Sequence, residues 1–214
     1  MSEINNDKTT SKKNNFMKGL IEQLELVVIV FVIIVLIFSF AARMCQVSGD
    51  SMRDTLYNGE NVIVSDAFYT PERGDIIVFH QTGESRNDYN EPIVKRVIGV
   101  AGDTVKVEHF RDRMRVTVTD SEGNSTVLDE DYIRYEYPTY ADSVTYVEEG
   151  TVFVMGDNRS DSSDSRSARI GLVDTRRILG KVVVRVTPFD RFGKVGGVGI
   201  CREGIDEDKD EVAE

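Results

Sequence analysis

The apolar positions of this chain fall into two regimes that meet near Arg43. Residues 26–42 read LVVIVFVIIVLIFSFAA and carry no charge. At ~1.5 Å rise per residue such a run makes a helix of roughly 25 Å. That is the short end of what crosses a hydrocarbon core about 30 Å thick. Leu24 and Met44 can lengthen it by part of a turn. The β-branched crowding is a weak helix former in water. In lipid, however, every unpaired backbone group is costly, and that cost forces the helix.

Beyond Arg43 the period changes. Short β-branched runs separated by turn residues occur at Asn61-Val62-Ile63-Val64, Ile76-Ile77-Val78-Phe79, Val94 to Val100, Val152-Phe153-Val154-Met155 and Lys181 to Val186. Met114, Val116 and Val118 alternate with Arg115, Thr117 and Thr119, the period of a strand with one buried face. Asp120-Ser121-Glu122-Gly123-Asn124 then predicts a hairpin tip before Thr126-Val127-Leu128. The spacing predicts a mostly β fold, an antiparallel sheet or barrel-like domain behind a single N-terminal transmembrane helix, with no second long helix. Residues 81–91, QTGESRNDYNE, predict a polar loop between two strands.

Lys8, Lys12, Lys13 and Lys18 precede the apolar run, and Arg43 and Arg53 follow it closely. The positive-inside rule then keeps the N-terminus in the cytoplasm and puts everything after Arg43 outside the cell membrane. A cleaved leader is the other reading, because Ser39-Phe40-Ala41 offers small residues at the spacing of a cleavage site. Glu22 and Glu25 beside the run, and its length, favour a retained single-pass anchor. The expected division is a cytoplasmic segment over 1–25, the anchor over 26–42, an extracytoplasmic domain over 43–192 and a Gly-rich, then acidic tail over 193–214. From Glu203 onward Glu203, Asp206, Glu207, Asp208, Asp210, Glu211 and Glu214 face only Lys209, a composition that predicts disorder.

Composition narrows the chemistry. Acidic residues outnumber basic ones 37 to 26, for a net charge of −11, so a nucleic-acid partner is not expected. Trp is absent, Cys45 and Cys201 are far apart, and His80 and His109 sit outside any H-E-x-x-H spacing. These facts exclude a disulfide-stapled miniature, a zinc ribbon and a zincin. Neither a metal nor a cofactor is expected, and the sequence leaves open whether Cys45 pairs with Cys201. The chemistry must run on Ser, Thr, Lys, Asp, Glu or Tyr.

Three stretches carry candidates. Ser48-Gly49-Asp50-Ser51-Met52 reads by itself as a turn between strands. Ser51 lies within about 28 Å of extended chain from Arg43, so a nucleophile there would act on substrates at the membrane. Lys95 sits in Ile93-Val94-Lys95-Arg96-Val97-Ile98-Gly99, where the near-continuous apolar run suits a strand buried on both faces. A lysine with an ordinary pKa near 10.4 is useless as a base at pH 7. Burial lowers it by several units and makes Ser plus Lys an economical nucleophile and base pair. The third stretch, Gly156-Asp157-Asn158-Arg159-Ser160-Asp161-Ser162-Ser163-Asp164-Ser165-Arg166, reads as a polar loop. As a calcium loop it fails, because Arg159 and Ser162 fall where an oxygen ligand and a Gly belong. Its Asp, Ser and Arg suit a fixed hydrogen-bond and ion-pair network.

In this order, these stretches resemble the type I bacterial signal peptidases, membrane-anchored Ser/Lys proteases that cut leader peptides from exported proteins. The resemblance runs through the anchor, Ser48 to Met52 with Thr55-Leu56, and Arg73-Gly74-Asp75-Ile76-Ile77-Val78-Phe79. It continues through Val94 to Gly99 with Gly102-Asp103, Met155 to Arg166, Gly171-Leu172-Val173 and Ile178 to Val182. It implies that Ser51 is the nucleophile and Lys95 the general base, with Ser162 orienting the Lys95 amine. Asp157 with Arg96, and Asp164 with Arg166, are the implied ion pairs. Gly49 stands where the family often has a hydroxyl residue contributing to the oxyanion hole, which leaves the oxyanion mainly to the Ser51 N–H.

The resemblance further implies cleavage after small-x-small sites in exported preproteins whose signal peptides lie in the bilayer. The lipid bilayer and those signal peptides are the expected partners, with the translocation machinery a further candidate. Two departures stand out: Asp54 where the family has Pro, and Val100-Ala101-Gly102-Asp103 in place of Leu-Pro-Gly-Asp. The competing reading is a non-catalytic, signal-peptidase-like assembly factor for surface structures. Such proteins lose the Ser or the Lys, and this chain has both.

Overall fold

The computed structural model describes residues 4–67, 69–81, 92–110, 113–130, 132–133 and 140–195, without the side chains of 4–16, 36–41 and 113. Residues 82–91 of the loop expected over 81–91, the acidic tail and Cys201 lie outside the described residues. The chain divides between Ala42 and Arg43 into two units.

The first unit is the helix α1, Ile4–Ala41. It begins well before the apolar run, and Leu26 to Val35 are all exposed along it. Among the described residues no helix is long and apolar enough to cross a membrane. The described side chains, 17–35, include Lys18, Glu22 and Glu25 and stop short of 36–41.

The second unit is built of β1 (Arg43–Gln46), β2 (Asn61–Ser65), β3 (Ile76–His80), β4 (Pro92–Gly99), β5 (Thr104–Phe110), β6 (Arg113–Thr119), β7 (Ser125–Val127), β8 (Ser143–Tyr146), β9 (Thr151–Met155), β10 (Val173–Asp174), β11 (Ile178–Thr187) and β12 (Gly193–Lys194). An eight-stranded sheet runs β1-β2-β11-β3-β4-β9-β10, with β12 paired to β11. A four-stranded sheet runs β7-β6-β5-β8. The strand pairings are antiparallel throughout.

The apolar runs of β3 and β9 are buried on both faces, whereas β2 and β11 bury mainly one. Along β3, Ile76 and Val78 pack with Val47, Met52, Leu56, Val62, Val64 and Val182. Ile77 and Phe79 turn the other way, toward Val97, Val152, Val154, Ile170 and Val173. Along β9, Phe153 and Met155 join Ile98 and the inner residues of the smaller sheet, Val105, Val107, Met114, Val116 and Val118. The alternation read in β6 is therefore the seam between the two sheets.

The hairpin tip forms as expected: the Asp120 carboxylate accepts the backbone N–H groups of Glu122 and Asn124, each at 2.9 Å. Strands β1, β5, β8 and the two-residue β10 and β12 were not expected from the hydrophobic pattern. β8 spans four residues and β1 lies at a sheet edge, while β5 carries the same alternation as β6, Val105 and Val107 against Lys106 and Glu108, and was legible but not singled out. β12 occupies the start of the segment read as tail.

Candidate active site

Ser51 lies in the loop between β1 and β2, anchored from below by Met52 and Leu56, 1% and 0% exposed. The Leu56 N–H donates to the Met52 carbonyl at 2.8 Å and the Arg53 N–H to the Asp50 carbonyl at 2.9 Å, closing consecutive turns. Asn158 ties this loop to the one after β9: its N–H donates to the Ser51 carbonyl at 3.0 Å and its Nδ2 to the Asp50 carbonyl at 3.1 Å. The Gly49 N–H donates to Asn58 Oδ1 at 3.1 Å. The Ser51 N–H makes no hydrogen bond among the described residues.

Asp54 stands where the resemblance expects Pro, and its φ is +83°. Pro, locked near −65°, cannot adopt that conformation. The departure therefore goes with a different backbone path, beyond a side chain substituting for a ring.

Lys95 projects from β4 opposite Ile77 of β3 and is 3% exposed. Its Nζ donates to Ser51 Oγ at 2.6 Å. Burial pushes the amine down from 10.5 to about 8, against the pull of Asp164 and Asp157, with Arg166 helping to lower it. The next residue, Arg96, points to the other face of the strand. Its Nε and Nη2 donate to the Asp157 carboxylate at 2.8 and 2.7 Å, and its Nη1 donates to the Gly74 carbonyl at 2.9 Å. Thr55 Oγ1 donates to the same carboxylate. Asp157 thus links β4 to the loop that carries Ser51.

Asp164 and Arg166 form the second buried pair, with Arg166 Nε and Nη2 donating at 2.8 and 2.7 Å. That cation, with an N–H from Gly156, holds the Asp164 carboxyl below the usual range despite its burial. Ser162 is 6% exposed, and its Oγ makes no hydrogen bond. The expected bond to Lys95 is not formed here, although the hydroxyl is close enough to favour the ionised Asp164. Gly156 makes the close approach achievable: a Cβ there would meet Ser162 Oγ at 2.2 Å and the Ser51 carbonyl at 2.4 Å.

Glu130, Tyr132 and Tyr140 were not picked out from the sequence. Glu130 accepts from both terminal nitrogens of Arg159, one at 2.6 Å, and both side chains are buried. The Tyr132 ring lies 4.0 Å from the Arg96 guanidinium, and its hydroxyl donates to Glu130 Oε1 at 2.6 Å. Tyr140 covers Arg166. The one available signal was the density of Tyr and acids between 129 and 140, which has no hydrophobic period.

Ser51 and Lys95 open into a cavity of about 670 Å³. Val47, Val62, Val78, Ile93, Val94 and Ile170 give it an apolar part, and Gln46, Ser48, Asp50, Asp161 and Ser163 a polar one. Among the described residues no group of His, Cys, Asp or Glu is arranged to hold a metal ion.

Signal peptidase IB of Staphylococcus aureus is 33% identical over 195 residues, covering 82% of this chain and 93% of its own. A probable signal peptidase I-1 of Synechocystis is 33% identical over 184 residues, covering 82% of this chain and 86% of its own. The crystal structure of a signal peptidase I from Enterococcus faecalis aligns with 54% of this chain and 98% of its own at 27% identity, with a TM-score of 0.40. The family model described as signal peptidase, peptidase S26, matches residues 20–187. A match of that extent, with relatives aligned over most of their length, means that the chain belongs to the S26 family of signal peptidases.

Proposed function

We propose that this chain removes signal peptides from exported preproteins at the outer face of the cytoplasmic membrane, with Ser51 as nucleophile and Lys95 as general base. Family membership supports signal-peptide removal as the activity. The observation that carries the finer reading is the 2.6 Å contact between Lys95 Nζ and Ser51 Oγ, made by an amine that burial brings to about 8. Geometry and proton affinity both suit a general base.

In the proposed cycle an extended substrate segment lies in the cavity and adds backbone hydrogen bonds to a strand edge. Small side chains on either side of one intervening residue fit its shallow apolar part, giving cleavage after small-x-small sites. Neutral Lys95 takes the Ser51 proton as Oγ attacks the scissile carbonyl. The carbonyl oxygen becomes an oxyanion facing the unengaged Ser51 N–H. The protonated Lys95 gives its proton to the leaving amine, and an acyl ester on Ser51 remains. Lys95 then activates a water that releases the mature chain and restores the hydroxyl. Ser162, buried and without a partner, supplies a hydroxyl that can orient the amine. The Arg96–Asp157 and Asp164–Arg166 pairs hold the two loops in register. These steps call for no metal or cofactor.

The apolar run over 26–42, continuous within a helix that extends to Ala41 and exposed along Leu26 to Val35, supports a retained anchor with the N-terminus cytoplasmic. Alkaline extraction of membranes tests it: the chain is expected to stay in the pellet, and release by high salt would refute the anchor. The activity is tested with the full chain in detergent, a purified preprotein, and N-terminal sequencing of the product. Cleavage after a small-x-small site is expected, lost in both Ser51→Ala and Lys95→Ala. A Lys95→Ala rate of even a tenth of wild type would refute the base assignment.

A further inference from the structure

Tyr140 touches neither Ser51 nor Lys95, yet it contacts two points of the segment whose charges act on the base. Its ring lies 4.7 Å from the Arg166 guanidinium, within cation–π range. Its hydroxyl donates to the Ser162 carbonyl at 3.1 Å. Arg166 is otherwise held by Asp164 and by the Arg159 carbonyl, the latter at 3.1 Å, and its side chain is 1% exposed. One aromatic side chain therefore covers the cation of the second ion pair and pins the backbone at the unpartnered Ser162.

We propose that Tyr140 is a positioning residue for the general base: its ring keeps water from Arg166 and its hydroxyl fixes the Ser162 backbone, so that Lys95 faces an undisturbed Asp164–Arg166 pair. This inference rests on the Ser/Lys reading above. The groups that face Lys95 are Asp157, Asp164 and Arg166 from the loop after β9 and the Ser51 hydroxyl from the loop before β2. Asp50 and Asp161 line the same cavity. On β4 itself Arg96 is engaged by Asp157, and β3 offers apolar Ile77. Arg166 works with burial to hold the proton affinity of Lys95 down. Water admitted at Arg166 loosens its hold on Asp164, and a less neutralised Asp164, whose charge favours the protonated amine of Lys95, raises that affinity.

The test is kcat/KM against pH for the full chain in detergent, with wild type, Tyr140→Phe, Tyr140→Ala and Lys95→Ala. Tyr140→Phe keeps the ring and loses only the hold on the Ser162 backbone, so its acid limb is expected to move less than that of Tyr140→Ala. In Tyr140→Ala the limb is expected to move up by about half a unit or more, an approximately threefold loss at pH 7 with the alkaline plateau kept. An unmoved limb, or a loss equal at every pH, overturns the proposal. If thermal melting shows that Tyr140→Ala does not fold, Tyr140→Leu replaces it, with the same shift in direction expected and the same result fatal. Lys95→Ala separates the two readings: residual cleavage there sinks the Ser/Lys assignment. An inactive Lys95→Ala beside an unmoved Tyr140→Ala limb sinks this inference alone.

Discussion

Lys95 Nζ lies 2.6 Å from Ser51 Oγ although 44 residues separate the two in the chain. Strand β4 supplies one and a loop pinned by Met52 and Leu56 supplies the other, so neither depends on a flexible tether. With the amine lowered to about 8, roughly a tenth of the free enzyme carries a neutral base at pH 7. The expected outcome is a kcat/KM that rises with pH through a limb near 8, measured on a preprotein in detergent. A profile flat from pH 6 to 9 would mean that Lys95 is not the titrating base.

The same burial costs stability. In the folded state Lys95 loses its proton near 8, whereas the unfolded lysine holds it to about 10.5. Between those values the unfolded chain binds more protons, so stability climbs with pH across that window, and below it the penalty is complete. Its size is about 3 kcal/mol. Lys95→Met should therefore raise the melting temperature at pH 7, abolish cleavage, and lose most of its stability advantage by pH 10.5. Equal gains at both pH values would refute the account.

Asp54 carries a left-handed backbone, φ +83°. Gly adopts that region freely, so Asp54→Gly should leave stability unchanged or slightly raised. Asp54→Pro, the change toward the family pattern, should cost more than about 1 kcal/mol. Chemical unfolding of both variants checks the order, and a stabilising Pro would show that the loop takes another path.

The Ser51 carbonyl and Ser162 both crowd the position that a side chain at Gly156 would take. A methyl at 2.2 Å from Ser162 Oγ and 2.4 Å from that carbonyl must push one of them away. Gly156→Ala is expected to lower kcat by at least about tenfold, since displacements near 1 Å are that costly in a reacting pair. A rate within twofold of wild type would show that the Ser51 loop absorbs the shift.

Glu130 and Arg159 form a buried pair with side chains 6% and 1% exposed. Removing one partner of such a pair costs about 3–5 kcal/mol, while replacing both with apolar residues is often neutral. Glu130→Leu should thus be strongly destabilising, and Glu130→Leu with Arg159→Met should recover much of the loss. A double variant no better than the single would place the stabilisation outside the pair.

Some of this was legible from the residues alone. The period of two in β6 and the apolar runs of β3 and β9 announced their strands because side-chain direction alternates with the local backbone. Ser51, Lys95, Asp157 and Asp164 stood out only because their blocks, in order, resemble a known family; each stretch alone reads as a turn, a strand or a polar loop. What the chain could not announce was contact. Only the pairing of β4 between β3 and β9, and the Asn158 bridge, bring Lys95 to Ser51, and only that packing dries the amine. Glu130, Tyr132 and Tyr140 were invisible for the same reason, since a guanidinium's cover depends on which loop folds over it. Local sequence thus determined which strands form and which residue types were available for the chemistry. Tertiary structure decided which of them meet and at what proton affinity, because burial and distance are properties of the packed chain.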